Sequence, residues 1–373
     1  MACLTGCSNN SLRSDNNPYP KALDPQAFQK VIEGKKTKLY TLKNNKGMRV
    51  SFTNYGARVV SILAPDRKGQ FCDVVTGFPT LDEYISCPEP FHGPIVGPVG
   101  NRIASGKFNI DGVTYQLPIN NGVNHLHGGP KGFHHQAWDV VDVGDQFIHL
   151  HILSKDGELG YPGNLHVDLR YELSHKNEII LSYRARTDKK TVVNLTWHPF
   201  FNLAGEGNTI NDHRLMINAD RFTPVDKTLI PLGRHDSVTG TPFDFRTAKA
   251  IGRDLHKQKD CIQLQHGAGY DHNWVLNNSK GKGLNLAARV EEPTSGRALE
   301  VYTQEPGLQF YGGNFFDGKT KGKNGQAHIY RGAMALETQQ FPDSINQKGF
   351  SDIILNPGEE YKTQSIYAFS TIS

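Results

Sequence analysis

The chain has 373 residues, 41 Lys and Arg against 37 Asp and Glu for a formal charge of +4, and 37% hydrophobic residues, a balance that excludes a disordered or collagen-like polymer. The positive excess is scattered, with no basic run longer than Lys35-Lys36 or Lys189-Lys190, so no nucleic-acid footprint is present and a neutral partner is expected. No stretch reaches the roughly 18 consecutive apolar residues that a membrane-spanning helix needs.

The N-terminus reads Leu4-Thr5-Gly6-Cys7 and then polar residues from Ser8 to Asn17, which is similar to a bacterial lipobox, where the cysteine becomes a lipid anchor. An export signal also needs a basic segment and about 7–15 apolar residues before the cleavage point, and only Met1-Ala2-Cys3 stand ahead of Leu4. Two readings stay open: a start further upstream, with a periplasmic or lipid-anchored protein held at Cys7, or a chance tetrapeptide in a cytoplasmic one. Residues 1–20 read as a flexible leader and 21–373 as a single catalytic domain. The five cysteines, Cys3, Cys7, Cys72, Cys87 and Cys261, contain no C-x-x-C pair, so neither a disulfide framework nor a zinc knuckle is implied, and the last three are expected to be bystanders.

Asp24-Pro25 ahead of Ala27, Phe28, Val31 and Ile32 predicts a short helix, and Thr80 to Tyr84 a single turn. From about Lys38 onward strand signals dominate. Asp111-Gly112 sits between Phe108-Asn109-Ile110 and Val113 to Leu117, a hairpin signal. From Leu165 to Leu173, Leu165, Val167, Leu169, Tyr171 and Leu173 alternate with His166, Asp168, Arg170 and Glu172. After Ser174 to Asn177, residues Ile179, Leu181, Tyr183 and Ala185 resume the alternation, predicting an antiparallel hairpin. Gly-, Pro- and Asn-rich breaks recur at Asn44 to Gly47, Asp156 to Gly163, Thr294 to Gly296 and Asn356 to Gly358. Short strands joined by turns predict an all-β fold: one large antiparallel β-sandwich with a concave face for a polar ligand.

Three segments place polar groups on such a face. In Val193 to Leu203 one parity is apolar, while Asn194, Thr196, His198, Phe200 and Asn202 take the other. In Met334 to Phe341, Glu337 falls opposite Met334 and Leu336 on a strand that reads as internal; a buried carboxylate there must be paired or functional. Around Leu308 to Tyr311 the same parity exposes Gln309 and Tyr311. His125-x-His127 on a strand would put both imidazoles on one face, as a cupin metal site does, but no carboxylate follows within a few residues and no zincin spacing is present, so no metal is expected. With no G-x-G-x-x-G, Walker loop or G-x-S-x-G elbow, the remaining chemistry is acid–base work by His and Glu.

Six stretches, in order, carry a resemblance: Asn54-Tyr55-Gly56-Ala57, Val99-Gly100-Asn101-Arg102-Ile103-Ala104, Asn124-His125-Leu126-His127-Gly128-Gly129, Asn194 to Leu203, Gly269-Tyr270-Asp271-His272-Asn273 and Leu336-Glu337-Thr338-Gln339. From about Lys38 to Phe369 the chain resembles the aldose 1-epimerases, or galactose mutarotases, whose fold is a large antiparallel β-sandwich. The resemblance implies that Glu337 is the general base, His198 the general acid and His127 a second histidine that holds the sugar. It places Asn101, Arg102, Asp271 and Gln309 at sugar-binding positions and Phe200 beside the site. Two departures bear on substrate preference: Gly97-Pro98 stands where many members have Gly-Arg, and Phe200 where they often have Tyr.

Such an enzyme interconverts the α and β anomers of a free aldohexose such as glucose or galactose. It removes the C1 hydroxyl proton while protonating the ring oxygen, with no metal or redox cofactor. A carboxylate of reference pKa about 4.3 suits the first task, and an imidazole of about 6.5, kept protonated by a neighbouring carboxylate, suits the second. Trp274 and Phe200 could stack on the sugar, with core packing an equally open role. A non-catalytic carbohydrate-binding protein would not need Glu337 and His198 together. A sugar-phosphate epimerase on the same fold would want further cations, and a glycosidase or lyase a second catalytic carboxylate.

Overall fold

The computed structural model describes residues 19–277 and 283–373; the Leu4 to Cys7 tetrapeptide and residues 1–18 of the leader lie outside the described residues. Three antiparallel sheets dominate. The largest has nine strands, in spatial order Asp139–Val143, Phe147–Ser154, Leu165–Leu173, Glu178–Thr187, Tyr361–Thr371, Arg297–Thr303, Asn285–Glu291, Arg214–Ile217 and Lys249–Ala250. A five-stranded sheet runs Asp236–Ser237, Arg221–Thr223, Asp271–Val275, Gly307–Tyr311 and Ala335–Gln339, and a four-stranded sheet is formed by Leu39–Lys43, Arg49–Thr53, Arg58–Pro65 and Phe71–Asp73. One continuous hydrophobic core joins all three, with Tyr171, Leu181 and Tyr367 from the largest sheet, Trp274 and Phe310 from the second and Phe52 and Ile62 from the third. The all-β sandwich expected from the alternation is the observed architecture.

Local sequence explains the strongest elements. Leu165–Leu173 alternates buried and solvent-facing residues along its whole length and pairs with Glu178–Thr187 through Leu173 opposite Ile179. Asp111 and Gly112 both adopt left-handed backbone, at φ 52° and 84°, as a two-residue turn between paired strands requires, and the flanks Lys107–Ile110 and Val113–Gln116 pair. Thr80 caps the Leu81–Ser86 helix by accepting from the Glu83 amide and donating to its carboxylate, a side-chain N-cap.

Elsewhere the structure corrects the expectations. The helix predicted from Asp24 is one 3-10 turn, Pro25–Phe28, and Val31–Ile32 instead pairs with Lys35–Lys36 around the left-handed Glu33 and Gly34. Ala335–Gln339 is internal by burial but terminal in its sheet. Trp274 is enclosed in the core, its indole N–H donating to the Phe243 carbonyl, which removes it from the candidate sugar platform. Cys87 and Cys261 are free thiols, whereas Cys72 is disulfide-bonded, a bond that the spacing did not signal. No helix among the described residues is long and apolar enough to cross a membrane.

Candidate active site

The site forms where the Val193 to Leu203 segment runs beside Ala335–Gln339. The two chains bond at both ends of the contact: Phe201 and Met334 exchange backbone hydrogen bonds, and the Asn194 side chain accepts from the Gln340 amide and donates to its carbonyl. Counting inward from the Phe201–Met334 pair brings His198 opposite Glu337. Their side chains meet, His198 Nε2 lying 3.4 Å from Glu337 Oε1, with both residues buried.

The five-stranded sheet supplies one wall. Asn273, Gln309 and Glu337 are consecutive cross-strand partners, so their side chains project from one face. Asp271 follows two residues before Asn273, and the Gln309 amide donates to its Oδ1 at 2.7 Å. Arg102 reaches to 4.0 Å from the other Asp271 oxygen, and its Nε donates to Asn121. Among the described residues, Glu337 Oε2, His198 Nδ1 and Gln309 Oε1 make no hydrogen bond although buried.

The opposite wall turns on two left-handed residues, Asn101 at φ 61° and His127 at φ 53°. The His127 amide donates to the Asn101 carbonyl at 3.0 Å, and the Asn101 amide donates to His127 Nδ1 at 3.1 Å. Gly128 follows at φ 79°, where a Cβ would strike the Gly97 carbonyl, so only glycine fits this turn. The strand here covers only His125–Leu126, and the H-x-H pair therefore splits. His125 turns into the interior, bonded to the Pro118 carbonyl and the Tyr161 hydroxyl, while His127 faces His198 with ring centroids 5.1 Å apart.

Burial controls the charges. It pushes His198 down to about 4, against the weaker pull of the backbone carbonyls around it. His127 falls well below the usual imidazole range, first through burial and then through the nearby His198. Glu337 is raised well above the usual carboxylate range by burial and then by the Asp271 charge, with Arg102 opposing. Asp271 is raised by burial, which Arg102 and Gln309 only partly offset.

Ligand atoms of His127, His198 and Glu337 all lie within 4.8 Å of one another, a spacing that could hold a metal ion. The donor chemistry argues against it. His127 Nδ1 accepts an N–H, so a neutral ring carries its hydrogen on Nε2 and offers no lone pair there; ligating histidines normally donate from the other nitrogen instead.

All eight residues singled out from the sequence gather in this region. Phe200 stands somewhat apart, enclosed edge-on by His198 at 4.9 Å, His92 at 4.8 Å and Phe316 at 4.9 Å. Pro98 follows a cis peptide and its carbonyl accepts from the Asn194 amide. Sequence reasoning missed Phe91, whose ring lies 4.6 Å from that of His127 and 5.7 Å from that of His198. It also missed Glu89, half-buried near Asp271 and pushed up to about 7, chiefly by burial. Both sit on a loop clamped from beneath by buried Arg58, which donates to the Pro90, His92 and His134 carbonyls. No periodicity marks such a loop, and Asn273 stood in the sequence only as the last residue of the Gly269 to Asn273 stretch.

Comparisons with known proteins identify the family. The family model described as aldose 1-epimerase matches residues 38–368. The galactose mutarotase of Bos taurus is 45% identical over 87% of this chain and 91% of its own, and the aldose 1-epimerase of Escherichia coli K12 is 38% identical over 90% and 96%. Among solved structures, an aldose epimerase homologue from C. elegans superposes with a TM-score of 0.83 at 30% identity, covering 90% of this chain and all of its own. Galactose 1-epimerase from Lactobacillus acidophilus gives 0.79 at 30% identity, covering 92% and 97%. The chain belongs to the aldose 1-epimerase family of carbohydrate isomerases.

Proposed function

We propose that the protein is a mutarotase that interconverts the α and β anomers of free aldohexoses such as glucose and galactose, with Glu337 and His198 as its proton-transfer pair. The observation that carries this reading is the 3.4 Å approach of His198 Nε2 to Glu337 Oε1 in a wall of sugar-compatible polar groups. The shifts of both groups favour their neutral forms, so near neutrality the pair holds one proton between two sites.

One shared proton is what ring opening needs. Hydrogen bonds from sugar hydroxyls favour the carboxylate form of Glu337 and leave the proton on His198. Glu337 then accepts the proton of the C1 hydroxyl, the bond from C1 to the ring oxygen breaks, and His198 protonates that oxygen. Rotation about C1–C2 turns the other face of the aldehyde inward. The reverse transfers close the ring, and the pair regains its starting protonation. Each proton transfer contributes on the order of 10²–10⁴-fold. The Nε2–H of neutral His127 is a fixed donor for the sugar, Arg102, Asp271, Gln309 and Asn101 hold its hydroxyls, and Phe200 backs the His198 ring.

A phosphorylated sugar fits poorly. Arg102 is the cation placed among these groups, against the carboxyls of Asp271, Glu337 and Glu89, and the Arg58 guanidinium is committed to backbone carbonyls. Polarimetry of freshly dissolved α-D-glucose and α-D-galactose tests the proposal. Accelerated decay of rotation by catalytic amounts of the protein is expected. Saturable sugar binding with no acceleration would replace the enzyme with a binding protein.

A further inference from the structure

The outer face of the nine-stranded sheet carries a second histidine cluster. Phe147–Ser154 buries Ile148, Leu150 and Ile152 and turns His149 and His151 outward, while Leu165–Leu173 turns out His166 and Asp168. His151 is the cross-strand partner of Asp168. Its Nδ1 lies 3.2 Å from Asp168 Oδ1, and His149 Nε2 lies 3.1 Å from the same oxygen. The rings of His151 and His166, diagonal neighbours on the two strands, have centroids 5.5 Å apart.

We infer that His151 and His166 form a binding site for a divalent transition metal of borderline softness, such as Ni²⁺ or Zn²⁺, with Asp168 orienting His151 from behind. A carboxylate accepts, so the hydrogen of His151 sits on Nδ1 and the Nε2 lone pair is left outward. This is the carboxylate–histidine arrangement that fixes the tautomer of metal-binding imidazoles, and it is the reverse of His127, whose second nitrogen is met by a donor. Two imidazoles bound at about 2.0–2.1 Å with a near-tetrahedral angle place their ring centroids about 5 Å apart, close to the observed spacing. His149 presents Nε2 to Asp168, which leaves only Nδ1, next to its own backbone, and suits it to holding the carboxylate.

The surrounding charges permit a cation. Arg186, opposite His166, is paired with Glu360 at 2.8 Å, and Arg170 is paired with Glu172 and stacked on Phe147. Arg184, opposite Asp168, carries a charge that opposes the ion. Solvent completes the coordination, so the site is open and exchangeable.

Calorimetric titration of NiCl₂ into the full chain without an affinity tag tests the inference. One saturable site is expected, accompanied by a rise in Tm, lost in His151→Ala and in His166→Ala and weakened about 10–100-fold in Asp168→Asn. It should persist in His198→Asn. Mutarotation by His166→Ala should match the wild type, which reports that the fold is intact. Absence of saturable binding, or binding that survives His166→Ala and disappears in His198→Asn, would overturn the assignment.

Discussion

Asn101 and His127 lock each other: the backbone N–H of each donates to the other, one to a carbonyl and one to the imidazole Nδ1, and both residues hold left-handed backbone to do so. Strain of order 1–3 kcal/mol per such residue persists only where the surroundings enforce it. Here it fixes the tautomer of a histidine that faces His198.

A fixed neutral donor has a measurable signature. His127→Ala should reduce kcat by about 10²–10³, the scale of losing one preorganised donor, whereas His127→Gln, which keeps an N–H, should retain more activity. Since His127 stays neutral well below the usual imidazole range, neither substitution should move the limbs of the kcat profile between pH 5 and 8. Steady-state polarimetry across that range checks both statements.

Gly128 admits no side chain, because its φ is 79° and a Cβ would meet the Gly97 carbonyl. Gly128→Ala should cost more than the roughly 1 kcal/mol of an unfavourable φ alone, since backbone must also move. His127 moves with it, so activity should fall even where the variant remains folded. Urea unfolding and kcat measured on one preparation separate the two effects.

Buried histidines set the acid limit of stability. Burial drives His125, His198 and His213 to about 4 and His272 to about 3. As pH falls through about 6.5, the unfolded chain takes up protons that the folded form refuses, so stability drops toward pH 4, by up to about 1.4 kcal/mol per pH unit for each group. Denaturant midpoints measured at pH 7, 6 and 5 should fall progressively. A flat response would contradict the buried, neutral assignment.

Glu89 works in the opposite direction. Its folded-state pKa of about 7, against an ordinary 4.5, means that the folded form holds a proton the unfolded chain has lost. Its contribution is therefore largest below pH 4.5 and is lost as pH rises toward 7. Glu89→Gln should remove this slope and raise stability relative to the wild type more at pH 8 than at pH 5, as paired urea titrations would show.

The parts legible in the sequence were those governed by local periodicity. Leu165 to Leu173 alternates in burial as in composition, and Asp111-Gly112 can make only a turn of its kind. The parity of Val193 to Leu203 and of Met334 to Phe341 placed His198 and Glu337 away from the core residues beside them, and the resemblance supplied their company. What stayed hidden depends on contacts distant in sequence. The split of His125 from His127 follows from a left-handed residue that no pattern announces, Phe91 and Glu89 ride on a loop held by Arg58, and Val31–Ile32 leaves the predicted helix for a hairpin.

The pair Glu337 and His198 is proposed to share the proton that opens the ring. Its most direct test is the mutarotation rate of α-D-galactose with Glu337→Gln and His198→Asn, each checked for sugar binding. Losses of about 10²–10⁴-fold in kcat are expected for each variant, with the double variant little worse than either single one because the pair acts as a unit, and with binding retained. Near-wild-type turnover by either single variant would contradict it.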